Sequence, residues 1–116
     1  MLSKQNRLKK RKEFGYIYKN GEAFHSKSVT LYAIDSKFKT LKIGFSVSKK
    51  VGKAYLRNKI KRQLRSIIRE ELSKLQDHKN YILVAKTAIA ESGYDEIRRD
   101  VLYVLGKVNK NHEPNN

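Results

Sequence analysis

Between Leu41 and Leu75 the apolar residues change period once, and that change constrains the fold more than any other feature of the chain. Leu41, Ile43, Phe45 and Val47 alternate with Lys42, Gly44, Ser46 and Ser48, the pattern of a strand with one buried face and one small, polar, partly basic face. A face of small residues lets the backbone of a ligand come close. From Val51 the period lengthens. Leu56, Ile60, Leu64, Ile67, Ile68, Leu72 and Leu75 recur at three and four, which predicts a long amphipathic helix entered at Gly52 and running to about Gln76. Tyr81 to Ala85 is then a compact apolar run, short enough to be a buried strand.

The flanking segments supply the remaining elements. Phe14, Ile17 and Tyr18 stand at i, i+3 and i+4 within Leu8 to Asn20, a short helix stripe that Asn20-Gly21 closes with residues that accept left-handed dihedrals. Glu22 to His25 reads as a brief strand, and Val29 to Ile34 alternates in a way that gives both faces something to pack. Ser92 ahead of Asp95 is a weak capping-box pattern before the stripe of Ile97, Val101, Val104, Leu105 and Val108. The order α-β-β-β-α-β-α predicts an α+β two-layer sandwich with a central sheet of about four strands. At 116 residues the chain has the length of one domain, expected over 1–116 with 1–7 and 109–116 flexible.

Charge narrows the function. Lys and Arg number 27 against 11 Asp and Glu, a formal +16, and self-repulsion of that size is relieved by a polyanion. The excess is concentrated in residues 36–69, which hold twelve Lys or Arg and no acid. At about 100° per residue, Asn58, Lys61, Arg62, Arg65 and Arg69 fall on the side of the long helix opposite Ile60, Leu64 and Ile67, with Arg57 at the border. A solvated helix face normally mixes signs, because like charges at helical spacing destabilise the helix. This face is single-signed, which favours binding over solvation. Arg brings forked donors to phosphate, and Asn brings a donor and an acceptor to a base edge or a sugar hydroxyl.

Other classes fall away. The chain has no Cys, which excludes disulfides, thiolate nucleophiles and Cys-ligated metal centres. No apolar run follows the basic N-terminus and no stretch reaches the length of a membrane helix, so a cytoplasmic protein without a membrane partner is expected. His25, His78 and His112 lack the spacing of a metal-binding helix, and the acids of Glu70-Glu71 and of Glu91 to Asp100 read as helix-end and solvent-face charges. No phosphate-loop glycine pattern occurs. No catalytic residue and no metal ligand is expected in the polypeptide.

Gly44-Phe45-Ser46-Val47-Ser48-Lys49-Lys50-Val51-Gly52-Lys53-Ala54, followed by Arg57-Asn58-Lys59-Ile60-Lys61-Arg62, resembles the signature of the bacterial ribonuclease P protein component. The resemblance covers about residues 7–108 and is strongest at 44–65. It implies a small protein subunit of a ribonucleoprotein endonuclease that removes the 5′ leader from precursor tRNA, with the chemistry carried by a catalytic RNA and by Mg2+ ions bound mainly by that RNA. The partners it implies are that RNA and a precursor tRNA with a single-stranded leader. It also implies a left-handed crossover between the parallel strands at Leu41–Val47 and Tyr81–Ala85, against the usual right-handed preference.

Carried over to this chain, the resemblance assigns Lys49, Lys50, Lys53, Arg57, Asn58, Lys61, Arg62 and Arg65 to the catalytic RNA. It assigns Phe14, Tyr18, Tyr32, Lys42 and Ser46 to a cleft for the leader. From pattern alone the three aromatic residues favour core, since aromatic side chains are usually buried for their area; the resemblance reverses that order, because an exposed aromatic platform beside Lys residues stacks unpaired bases without reading them. An architectural, ribosomal-type or nucleoid-type basic protein is the alternative. At the start of the first helix, Lys10, Arg11 and Lys12 replace the residues that make good caps, so the first turn is expected to fray without RNA, and Gly15 costs about 1 kcal/mol relative to Ala.

Overall fold

A computed structural model describes residues 4–111. Three helices, α1 (Arg11–Asn20), α2 (Ala54–Glu70) and α3 (Tyr94–Asn111), accompany four strands, β1 (Glu22–His25), β2 (Val29–Asp35), β3 (Lys42–Ser46) and β4 (Lys79–Ala85). The strands form one sheet in the order β1-β2-β4-β3. β2 is antiparallel to β1 and β4, while β3 lies parallel to β4 with Gly44 opposite Ile82. The parallel pair and the intervening helix that a crossover requires are therefore present. Both faces of β4 are covered, Tyr81, Leu83 and Ala85 by the larger core and Ile82 by the smaller one, which is why its sequence is a nearly unbroken apolar run rather than an alternation.

The alternation of the strands divides the core. Val29, Leu31, Ala33, Ile43, Tyr81, Leu83 and Ala85 face α2 and α3, joining Ile60, Leu64, Ile67, Val101 and Val104. On the opposite face Ile82 packs with Ile17 of α1 and with Leu8, bordered by Phe14, Tyr32, Ile34 and Val84. The expected two layers are the sheet with α2 and α3. The ten residues of α1 add a third, partial layer that leaves part of the second face open. Ordered structure reaches into both chain ends: Lys4–Asn6 form a 3-10 turn, Arg7 bridges to Ile43 in parallel, and α3 continues to Asn111. The flexibility expected of residues 1–3 and 112–116 falls outside the described residues.

Several boundaries differ from the sequence reading, each for a local reason. The first helix begins at Arg11 rather than Leu8, because Leu8 is pinned to β3 by its N–H donating to the Ile43 carbonyl at 3.0 Å. Its first turn does have a cap: Glu13 accepts from the Lys10 N–H at 3.4 Å and faces Lys42 at 3.7 Å, and an acid in the first turn also complements the helix dipole. Gly21 ends α1 in an extended conformation, not a left-handed one. It is glycine for space, since a Cβ there would lie 2.7 Å from the Ile17 carbonyl oxygen and 2.9 Å from that of Ala33.

The long helix is shorter than its apolar stripe. Lys49–Val51 form a separate 3-10 turn, α2 starts at Ala54, and it stops at Glu70 because the Glu71 N–H turns to both the Ile67 and Ile68 carbonyls. Leu72 and Leu75 extend the stripe from a 3-10 turn, Leu72–Lys74, and the residue after it. Ser92 does not cap α3: its hydroxyl donates back to the Ala88 carbonyl at 3.1 Å, while Glu96 accepts from the Gly93 N–H at 2.9 Å.

Candidate nucleic-acid interface

α2 presents its charges because of what holds its other side. Ile60, Leu64, Ile67 and Ile68 are buried against the sheet and α3, so the opposite positions Asn58, Arg62, Arg65 and Arg69 are exposed. The acids at the end of α2 turn toward α3: Glu71 is buried beside Lys74 at 3.3 Å and Arg98 at 3.9 Å, and Glu70 accepts from the Tyr94 hydroxyl at 3.4 Å. Among the described residues, the ion pairs formed involve neither the stripe nor Lys49, Lys50 and Lys53. The first turn of α2 contains no acid, so the positive end of the helix dipole adds to the same field.

The sequence-predicted cations do not all stand alike. Lys49, Lys50 and Lys53 are exposed on the turn leading into α2, and Asn58, Arg62 and Arg65 on the helix itself. Arg57 is half-buried and its Nε donates to the Gly52 carbonyl at 3.1 Å, so it braces the turn as well as carrying charge. Lys61 is half-buried at the margin of the stripe. It lines, with Arg65, a groove of about 420 Å³ that also involves Arg7, Lys9, Phe14 and Phe45. The groove joins the basic stripe to Phe14 of α1, on the edge of the sheet formed by β3.

Three aromatic side chains meet on the half-open face. Phe14 and Tyr18 have ring centroids 6.4 Å apart, and the edge of one ring meets the face of the other where Tyr18 and Tyr32 approach to 5.0 Å. Phe14 and Tyr32 are half-buried and Tyr18 is 40% exposed. Phe14 and Tyr32 pack against the small core under α1 and stay partly open, while Tyr18 is exposed and rests on their rings. Phe14 comes this low because residue 44 has no side chain: a Cβ there would lie 2.4 Å from the Phe14 ring. The face of small residues in β3 is thus occupied first by the protein's own ring.

Ser46, half-buried, lies on the same face as Gly44, one strand pair beyond it and opposite Val84. Lys42 is not with these residues. It lies on that face but at the other end of β3, about 13 Å from Ser46 at roughly 3.3 Å per residue. It faces Glu13 and lines a different groove with Tyr16 and Phe38. Arg7, Lys9 and Phe45 also line the groove and were not singled out by sequence reasoning; for Lys9 the basic run that it starts was the available signal. Among the described residues no cluster of three or more His, Asp or Glu side chains is placed to hold a metal ion, and no helix is long and apolar enough to cross a membrane.

The family model described as Ribonuclease P matches residues 2–109. The chain is 36% identical over 107 residues to the ribonuclease P protein component of Bacillus pumilus (strain SAFR-032), covering 91% of this chain and 90% of that protein. It is 32% identical over 115 residues to the protein of that name from Streptococcus pneumoniae (strain Hungary19A-6), covering 99% and 93%. A mutant Staphylococcus aureus RNase P protein superposes with a TM-score of 0.86 at 33% identity, over 91% of this chain and 90% of that one. The Thermotoga maritima RNase P protein, at 24% identity and a TM-score of 0.79 over 87% and 96%, shares the fold. By family model, by sequence and by fold, the chain belongs to the ribonuclease P protein component family.

Proposed function

We propose that this protein binds a catalytic RNA through the exposed face of α2 and the turn before it, and holds the single-stranded 5′ leader of precursor tRNA against Phe14, Tyr18 and Tyr32. The observation that carries this reading is the groove in which Phe14 meets Lys61 and Arg65: a base-stacking surface adjoins a phosphate-binding one, so one RNA can lie against both. The protein's own residues bind and orient. Lys49, Lys50, Lys53, Arg62 and Arg65 neutralise phosphates of the catalytic RNA, Asn58 offers an amide donor and acceptor to a base edge or a sugar hydroxyl, and the aromatic faces stack successive bases whatever their identity. Ser46, on the same face of β3 as Gly44, supplies a hydroxyl donor. Mg2+ ions held mainly by that RNA would supply the hydrolytic chemistry, and the protein would act as a non-catalytic subunit, in the cytoplasm.

The test is reconstitution with a cognate catalytic RNA. Adding the protein is expected to lower the magnesium concentration needed for leader cleavage, a change that a purely architectural binder would not produce. Phe14→Ala or Tyr32→Ala is expected to weaken precursor tRNA binding by about 1–3 kcal/mol, the value of a lost base–aromatic stack, and to leave mature tRNA binding nearly unchanged. Equal losses for precursor and mature tRNA would return these rings to the core.

A further inference from the structure

A second groove, of about 310 Å³, lies on the flank of α1 away from Phe14 and Tyr18. Tyr16 of α1 and Phe38 of the loop between β2 and β3 both line it, and they are 62% and 68% exposed. Leaving two aromatic side chains so open forfeits burial that would otherwise stabilise the fold. The loop that carries Phe38 is braced. The Ser36 N–H donates to the His78 carbonyl at 2.7 Å, the His78 N–H donates to the Lys39 carbonyl at 3.1 Å, and the Phe38 N–H donates to Ser36 Oγ at 3.2 Å. His78 is held at a φ of 62°, a left-handed conformation that costs energy outside glycine. Phe38 is therefore held outward by a fixed backbone.

The polar groups of this groove suit a nucleotide. Its two carboxylates already face cations, Glu13 with Lys42 at 3.7 Å and Asp35 with Lys79 at 2.5 Å, while Lys37 adds positive charge and Asn80 adds an amide edge. Lys9 lines the first groove and Glu13 the second, so the exposed cations Lys10, Arg11 and Lys12 span the distance between them.

We infer that the groove at Tyr16 and Phe38 is a second base-binding pocket, taking an unpaired nucleotide of the leader upstream of those held at Phe14, Tyr18 and Tyr32. This rests on the leader reading above. The direction follows from Lys61 and Arg65: they bring the catalytic RNA to the first groove, so nucleotides reaching the second lie farther from the cleavage point.

Two precursor tRNAs test it, one with a leader that ends within the first groove and one with a leader long enough to pass the start of α1, each bound to the reconstituted holoenzyme. Tyr16→Ala and Phe38→Ala should each weaken binding of the long-leader precursor roughly 5- to 100-fold, as expected for a lost base–aromatic stack, and leave the short-leader precursor and mature tRNA unaffected. The chain has no Trp, so Phe38→Trp creates a unique reporter whose emission should be quenched by the long leader and not by the short one. No loss with the long leader, equal loss with all three RNAs, or weakened binding of the catalytic RNA alone would each overturn the pocket; the last would assign the base to that RNA. If Phe14→Ala and Tyr32→Ala are silent as well, the leader reading itself fails; if those two weaken binding and Tyr16→Ala and Phe38→Ala do not, only the second pocket falls.

Discussion

At the scale of single residues, Gly44 and Tyr81 show how much a side chain's neighbours decide. A Cβ at position 44 would lie 2.4 and 2.9 Å from two Phe14 ring atoms and 3.2 Å from the Leu8 Cβ. Gly44→Ala is therefore expected to cost about 1–3 kcal/mol by overpacking, measured by urea denaturation. In a Phe14→Ala background, where the ring is gone, most of that cost should vanish; a cost that stays the same would mean that strand propensity, not the ring, sets it. Tyr81 is fully buried, and its hydroxyl accepts from the Gln76 N–H at 2.9 Å. Burial pushes its phenol above the ordinary value; Asp35 and Asp77 act in the same direction and the Gln76 N–H opposes them. The folded state thus holds this proton more tightly than the unfolded one, so the stability it contributes is intact below about pH 10 and is lost as pH rises through the folded-state value. Tyr81→Phe should be less stable than the parent at neutral pH, by about 1 kcal/mol for the lost hydrogen bond, and the gap should narrow above about pH 10. A gap that stays constant through that range would show the phenol is not the titrating group.

At the scale of elements, α2 matters most because its two faces have opposed requirements. Its buried face needs Ile60, Leu64, Ile67 and Ile68 against the sheet and α3; its outer face tolerates any polar residue, so the single sign of that face reports on a partner rather than on folding. Arg62 is exposed. Arg62→Lys is expected to melt within about 0.5 kcal/mol of the parent, yet to weaken assembly with the catalytic RNA because an ammonium lacks the forked geometry of a guanidinium. Titrating the RNA with parent and variant checks this, and excess variant protein should restore most of the cleavage rate. Identical titration curves would leave Arg62 as a simple point charge. The stripe was legible in the sequence because periodicity and charge agree along it. The end of α2 was not, since Leu72 and Leu75 keep an apolar spacing of three that a 3-10 turn satisfies as well as a helix does. The cap supplied by Glu13 was likewise not legible, because Lys10, at the N-cap position, has no side-chain acceptor.

At the scale of the whole molecule, the formal charge of +16 predicts the response to salt. If about six cations contact phosphates, the plot of log affinity against log salt for the catalytic RNA should have a slope near −5, taking roughly 0.9 per contact. Affinity that barely changes between low and moderate salt would mean that the positive surface is solvated rather than bound. The same charge is distributed by the fold: α2 carries its stripe on the outside of the larger core, and the groove at the β3 edge connects that stripe to Phe14 of α1.

The sequence by itself determined the element types, the buried stripes, the basic face of α2 and the family, because period and charge are local properties of the chain. Only the tertiary structure decided what those elements share. The packing of α1 and the pairing of β3 with β4 set Lys42 against Glu13 and Ser46 opposite Val84. The placement of α1 separates the Phe14 flank from the Tyr16 flank, and the loop braced by His78 brings Phe38 toward Tyr16. These outcomes depend on strand pairing and helix packing between residues far apart in sequence, which no local pattern encodes.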